Sequence, residues 1–465
     1  MALPGRQDAG STPGRREAAL IFSDKSSNFL AVNIVQITPG AGGMYCGNCF
    51  RDNALVAAWR RAGHEAIMVP LYLPLTLDEA DQSAGQPIFF GGVNVFLDQK
   101  SALYRKAPAW LRHWLDSPAL LRWAAGRAAA TRANDVGEIM LSMLQGEDGH
   151  QQREVKDLMG WLKTQPRRAD LVCLSNTLLT GLARPLRHGL GVPVVCQWQG
   201  EDSYVDSLPA PYRERAWQAL RERAADVDLF IAPSRYYAET MRVRLGVPAE
   251  KVRVVFNGIS LEGYGEGPSS KVRRAGPPVL GFFARMCREK GLERLVEAFL
   301  ELKQRNRVPG LQLRAGGGCG PADEPFVAGL KERLAAAGFA GDAEFHPNLD
   351  RTRKIEFYQS LSVLSVPALY GEAFGLYLVE AWAAGVPVVQ PRHGAFPELI
   401  AATGGGVVCE PSVEGLASAL EKLLLAPDEL RALGEAGRRA MVERFTVERV
   451  AGDFLAACAA VRARR

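Results

Sequence analysis

The sequence predicts an α/β protein of two doubly wound domains, each a parallel sheet covered by helices on both faces, facing each other across a cleft. Three observations predict this. The chain has 465 residues, enough for two or three domains of ordinary size. Short runs rich in Val, Ile and Leu alternate with longer amphipathic stretches, the pattern of strands buried on both faces between crossover helices. Residues 262–278, which hold Gly263, Gly265, Gly267, Pro268, Ser269 and Ser270, interrupt that rhythm as a linker, after which it restarts.

The elements follow in order. Residues 1–27, rich in Gly, Pro, Ser and Arg, read as a flexible leader. The first domain, 28–265, is predicted to place strands at 32–37, 66–71, 171–174, 192–196, 229–232 and 252–255, with helices over 49–62, 212–223 and 236–245. Residues 72–150 form an insertion after the second strand, with one strand-like piece at 92–97. The second domain, 266–445, is predicted to place strands at 279–283, 311–315, 343–345, 363–366, 386–390 and 406–409. The helical stretch 428–465 has no strand after it. Its last part, 446–465, is expected to cross back onto the first domain.

Composition excludes several classes. Hydrophobic residues make up 47% and charged residues 23%, unlike a disordered or fibrous chain. No apolar run approaches the ~18–20 residues of a membrane-spanning helix. A net charge of +5 is too small by itself to indicate nucleic acid. Eight cysteines in so long a chain are no disulfide framework, and residues 1–16 lack a secretory apolar segment, so a cytoplasmic protein is expected.

The most informative stretch is 371–389. A strand ends near Pro367, a loop carries Glu372 and Gly375, a helix ends at Gly385, and another strand begins at Val386. This sets a helix N-terminus at a strand's carboxyl end, where free N–H groups and the helix dipole favour an anion. Glu372 and Glu380 would lie roughly 12 Å apart on a helix, too far for the ~5–5.5 Å carboxylate pair of a retaining glycosidase. They suit two ends of one extended ligand, such as a diphosphate between two sugars. Two glutamates on an ordinary helix would read the same way if they stood alone. They do not: Arg285 and Lys290 flank the turn after the first strand of the second domain, and two such cations can neutralise a departing diphosphate without a metal.

Arg285 with Lys290-Gly291, the turn Gly316-Gly317-Gly318, the Glu372 to Glu380 motif, and residues 384–389 and 393–400 together resemble the retaining glycosyltransferases of family 4, which have the two-Rossmann GT-B fold. The resemblance is specific over about 279–445 and looser before it. It implies that Arg285 and Lys290 contact the diphosphate of a nucleotide sugar and Glu380 its ribose. Glu372 and the backbone at Phe374, Gly375 and Leu376 would contact the donor sugar. The glycine-rich loop 39–48, with Gly42 and Gly43, would cover the diphosphate. UDP enters only through this resemblance. So do a glycan, lipid-linked or small-molecule acceptor, and a front-face reaction assisted by the leaving phosphate. No cofactor and no metal are expected. Many members carry a histidine where Gln199 stands; Gln does not titrate, so Gln199 would hydrogen-bond a sugar instead. Asp202 is a second polar candidate there.

Other readings remain. Gly40-Ala41-Gly42 begins a dinucleotide fingerprint, but the third glycine is missing and no acid ends the second strand, which disfavours an NAD-dependent oxidoreductase. A nucleotide-sugar binder without turnover is a further alternative. Asp226 and Asp228 resemble a metal-binding pair but close a helix and open a strand, which suits capping. Cys46 and Cys49 have redox spacing without a second pair for zinc. Arg105, Lys106, Trp110, Arg112, Trp114, Arg122, Trp123, Arg127 and Arg132 fit either peripheral membrane contact through 104–132 or a helix with snorkelling arginines.

Overall fold

The computed structural model describes residues 31–40, 47–75, 77–90, 133–265 and 276–463. Gly42, Gly43 and Cys46, the strand-like piece 92–97 and the basic stretch 104–132 lie outside the described residues. Val32–Arg465 forms one compact unit.

The first sheet contains β1 (Asn33–Thr38), β2 (Glu65–Pro70), β3 (Leu171–Leu174), β4 (Val194–Gln197), β5 (Leu229–Ala232) and β6 (Val252–Val254). Its order is β2-β1-β3-β4-β5-β6, all parallel. The helices among these strands are α1 (Gly47–Arg61), α2 (Ala133–Gln145), α3 (Gln152–Lys163), α4 (Ala183–Leu190), α5 (Glu201–Asp206), α6 (Tyr212–Ala224) and α7 (Arg235–Leu245). β3, β4 and β5 are buried at every position, as continuous apolar runs covered on both faces should be.

The second sheet contains β7 (Val279–Phe283), β8 (Gln312–Gly317), β9 (Ala343–Pro347), β10 (Val363–Leu364), β11 (Val388–Pro391) and β12 (Gly406–Cys409). Its order is β12-β11-β10-β7-β8-β9, again parallel. Its helices are α8 (Leu292–Arg305), α9 (Glu324–Ala336), α10 (Arg351–Gln359), α11 (Leu376–Ala383), α12 (Phe396–Thr403), α13 (Val413–Leu424) and α14 (Pro427–Arg444). One further helix, α15 (Val447–Arg462), follows α14.

Two differences from the sequence reading have local causes. The helical stretch after 428 is two helices: the buried Phe445 ends α14, and the Thr446 side chain accepts from the Arg449 N–H to cap α15. α15 packs on α1, where the Trp59 Nε1 donates to the Ala451 carbonyl at 3.2 Å and the Trp59 and Phe454 rings lie 5.2 Å apart. β10 is only two residues long, because the Val366 N–H leaves the ladder and donates to the Gln390 side chain at 3.2 Å.

Strand order locates the crevices. The first sheet grows from β1 to β2 and then resumes on the other side of β1 with β3; the second grows from β7 to β9 and resumes beside β7 with β10. Ligands of open parallel sheets bind beyond the carboxyl ends of the strands at such reversals.

Candidate active site

At the reversal of the second sheet the turn after β7 meets the loop after β10. Gly291 makes this possible: its φ is +78°, and a Cβ there would lie 1.9 Å from the Pro367 carbonyl oxygen. The adjacent Lys290 Nζ sits 2.5 Å from Glu372 Oε2. The Tyr377 hydroxyl donates to the same oxygen at 3.0 Å and the Tyr370 hydroxyl at 3.4 Å. The ammonium also lies 4.9 Å from the Tyr370 ring centre and 5.8 Å from that of Tyr377. Burial works against the charged lysine, but Glu372 and Tyr370 outweigh it and hold its pKa above the ordinary value. Burial, then the Glu372 charge, pushes both phenols up, so they act as neutral donors.

The loop 371–375 is backed by the segment after β11, where the Ala395 N–H donates to the Glu372 carbonyl at 2.9 Å. The Phe374 ring is buried beside Phe256 and Phe445, which leaves backbone as the part of this residue a ligand can meet. Gly375 is the N-cap of α11, and among the described residues it brings no side-chain cap to that helix N-terminus. Arg285 stands on the same turn as Lys290, but its Nε and NH2 are committed to Asp323 at 3.0 Å each. Its side chain is 62% exposed, so the guanidinium is oriented at the rim rather than joined to the Lys290 pair.

Glu380, one helix turn and more along α11, accepts from the Tyr358 hydroxyl at 2.7 Å and pairs with Lys354 Nζ at 3.0 Å. Lys354 simultaneously lies 2.6 Å from Asp78, in the first-domain segment that follows β2. Arg351, one turn earlier on α10, pairs with Glu79 at 2.7 Å and donates to the Ser260 and Glu262 carbonyls, just before and at the start of the linker, at 3.3 and 3.0 Å. The Asp350 side chain caps α10, and the i,i+3 spacing of Arg351 and Lys354 sets both cations on one face. The result is a charged clasp between the domains, with Glu380 at its inner end.

The first domain supplies Gln199, just beyond β4. Its side-chain oxygen accepts from Asn257 at 3.2 Å, and its N–H donates to Glu201 at 2.6 Å. The buried Glu201 also accepts from the Thr177 N–H at 2.9 Å and from its hydroxyl, joining the ends of β3 and β4. Asp202 accepts from the Tyr237 hydroxyl at 2.8 Å. This edge touches the loop 371–375 directly. A Cβ on Gly200 would stand 3.6 Å from that of Ala373, and the Ser234 hydroxyl donates to the Ala373 carbonyl at 2.7 Å. At the start of α7, the Arg235 and Tyr236 N–H groups donate to the Glu398 carboxylate at 2.9–3.1 Å.

The structure therefore brings Lys290, Glu372 and the α11 N-terminus together and sets Gln199 on the facing edge, while Arg285 and Glu380 flank them. Sequence reasoning missed Asp323, Asp78, Glu79, Arg351, Lys354 and Glu201. The Asp78-Glu79 pair and the Arg351, Lys354 spacing were its only signals. Asp226 is engaged by Arg184 and Arg223, and Asp228 by Arg187 and the Val194 N–H. Cys49 is buried. Among the described residues, no helix is long and apolar enough to cross a membrane.

Two family models match the chain. One, glycosyl transferases group 1, covers residues 267–440; the other, glycosyltransferase family 4, covers 143–262. The chain is 29% identical over 241 residues to a D-inositol 3-phosphate glycosyltransferase of Segniliparus rotundus, a match to 50% of this chain and 52% of that one. It is 28% identical over 271 residues to a GDP-mannose-dependent alpha-(1-6)-phosphatidylinositol monomannoside mannosyltransferase of Mycolicibacterium smegmatis, over 55% and 68% of the two chains. The chain spans about half the length of most of the curated relatives it matches. Among solved structures, sucrose-phosphate synthase from Thermosynechococcus elongatus superposes with a TM-score of 0.68 at 19% identity, over 93% of this chain and 100% of that one. Anabaena HepE in complex with UDP and glucose gives 0.63 at 16%, over 92% and 100%. With two parallel six-stranded sheets in the GT-B arrangement and both of its halves matched, the chain belongs to the family-4, group 1 glycosyltransferases.

Proposed function

We propose that this chain transfers a sugar from a nucleoside-diphosphate sugar to an acceptor hydroxyl, with retention at the anomeric carbon and without a metal ion. The observation that carries this reading is the buried Lys290–Glu372 pair beside the uncapped N-terminus of α11, at the reversal of the second sheet. A diphosphate there meets helix N–H groups and a largely buried ammonium, whose interaction with developing negative charge is stronger than in open water. Arg285, oriented by Asp323, adds a second cation at the rim. Glu380 accepts from ribose hydroxyls, sharing its carboxylate with Lys354. UDP is the proposed carrier nucleotide, since HepE, which is similar in fold, forms a complex with UDP.

The bond from the anomeric carbon to the leaving phosphate oxygen breaks as the acceptor oxygen approaches on the same face. The acceptor proton passes to the departing phosphate, and the negative charge that builds on the diphosphate is met by Lys290, Arg285 and α11. Glu372 accepts donor-sugar hydroxyls and keeps Lys290 in place. Gln199 donates to a sugar oxygen and moves no proton, because its amide does not titrate. Two named relatives act on inositol phosphate or phosphatidylinositol compounds, so phosphorylated polyols head the acceptors to be screened.

The test is release of nucleoside diphosphate from UDP-, GDP- and ADP-sugars with a panel of acceptors, in the presence of a chelator, with the anomeric proton of the product read by NMR. Release that depends on acceptor, survives chelation and retains configuration supports the proposal. Inversion, loss of activity on chelation, or nucleotide binding without transfer to any acceptor each contradicts it.

A further inference from the structure

The reversal of the first sheet holds an ion pair that the proposed reaction does not use. Arg51 and Asp52, both on α1, are 2% and 0% exposed. Asp52 accepts from the Thr38 hydroxyl at the end of β1. Arg51 Nε donates to Asp52 Oδ1 at 2.9 Å, and its NH2 donates to that oxygen as well. NH2 also reaches the Ser175 carbonyl at 2.9 Å and the Ser175 hydroxyl at 3.3 Å, at the end of β3. The guanidinium therefore bridges the two strand ends that define the crevice.

That bonding uses Nε and NH2 only. NH1 is buried and has no hydrogen-bond partner among the described residues. A buried donor left unmade carries a penalty that an incoming acceptor oxygen removes. Arg51 lines a cavity between the domains together with Phe50, Lys354, Leu376 and Glu380. Two helix N-termini converge on this cavity: a Cβ on Gly47, the first residue of α1, would lie 3.6 Å from the side chain of Leu376, the first residue of α11. Both helix ends favour negative charge. The carboxylates nearby are offset in part: Asp78 and Glu380 share Lys354, and Glu79 pairs with Arg351. A guanidinium only donates, and its planar edge matches phosphate oxygens.

We infer that Arg51 binds a phosphate oxygen of a substrate held between the N-termini of α1 and α11, so that the first domain contributes its own cation to the site. The inference rests on the nucleotide-sugar reading above. The phosphate belongs either to the donor diphosphate or to a phosphorylated acceptor, and the experiment separates the two.

Titration calorimetry of wild type and R51K with uridine, UMP and UDP, alongside KM for phosphorylated and dephosphorylated acceptors, tests it. Loss of about tenfold or more in UDP affinity, the scale of a charge-assisted hydrogen bond, with uridine unchanged assigns Arg51 to the donor. Unchanged UDP affinity with a similar rise in KM for the phosphorylated acceptor alone assigns it to the acceptor. If R51K does not fold, R51Q/D52N replaces the buried pair by a neutral one of similar shape and is read in the same way. A wild-type crystal soaked with UDP and acceptor gives an answer with no variant: Arg51 NH1 lies within hydrogen-bond distance of a phosphate oxygen, or it does not. Wild type that binds no nucleoside diphosphate overturns the nucleotide-sugar reading and this inference with it. Wild type that binds UDP and turns over, with the Arg51 variant unchanged in every arm, overturns the Arg51 assignment alone.

Discussion

Replacing Lys290 by Met separates stability from catalysis at the proposed diphosphate site. The pair it breaks is largely buried, with side-chain exposures of 22% for Lys290 and 11% for Glu372. Removing one partner of a fully buried pair costs about 3–5 kcal/mol. Here the lysine is partly solvated, and Glu372 keeps its bonds to Tyr377 and Tyr370, so about 2–3 kcal/mol is expected by the same reasoning. For a domain of this size that lowers Tm by about 5–10 °C. The double variant K290M/E372Q leaves no lone buried charge and should recover most of the loss. Catalysis should not recover with it: loss of a preorganised group that meets transition-state charge costs about 10²–10³ in kcat. The assay is thermal unfolding with steady-state nucleotide release on wild type, both single variants and the double variant. A K290M enzyme with kcat near wild type, or a double variant that regains stability and turnover together, would exclude Lys290 from meeting the diphosphate charge.

Further outcomes follow from the same geometry. D78N and E79Q, which open the clasp on Lys354 and Arg351, should raise KM for the donor more than they lower kcat, and double-mutant cycles of D78N with K354M should give a coupling energy; additive effects would mean that the clasp carries no function. The Lys290 contribution has a defined pH window: its pKa is raised in the folded state, so its stabilisation is fully present below about pH 10.4 and is lost as pH rises beyond it. The Tm difference between wild type and K290M should therefore stay flat from pH 6 to 9, and a slope there would contradict the pairing. W59A removes a fully buried ring, its contact with Phe454 and the bond to the Ala451 carbonyl. It should cost about 3–5 kcal/mol and expose α15 to proteolysis before the rest of the chain.

Most of the architecture was legible because fully buried parallel strands carry their signal locally. β3, β5, β7 and β12 begin and end where the apolar runs do. Ends set by partners elsewhere were not: β8 continues through Gly316 and Gly317 because they pair with His346 and Pro347 of β9, and glycine in a sequence reads as a turn. The site divides in the same way. Lys290, Glu372, Gly375 and Glu380 stand in motifs whose spacing is fixed by one turn or one helix. Asp323, Lys354, Asp78 and Arg51 matter through neighbours far away in the chain: Lys354 meets Asp78 from 276 residues away, and Arg51 meets Ser175 from 124. Nothing local marks such a lysine or arginine apart from those on a solvated face. Of the cysteine pair, Cys49 is buried on α1 and Cys46 lies outside the described residues.

In the proposed reaction a diphosphate sits at the reversal of the second sheet, against Lys290 and the first turn of α11. A crystal structure of the wild-type protein soaked with a UDP-sugar tests it most directly. The expected density sets the diphosphate within hydrogen-bond distance of Lys290 Nζ and the N–H groups following Gly375, with the ribose at Glu380. A nucleotide bound anywhere else in the cleft, with Lys290 still closed on Glu372, would rule out this diphosphate site.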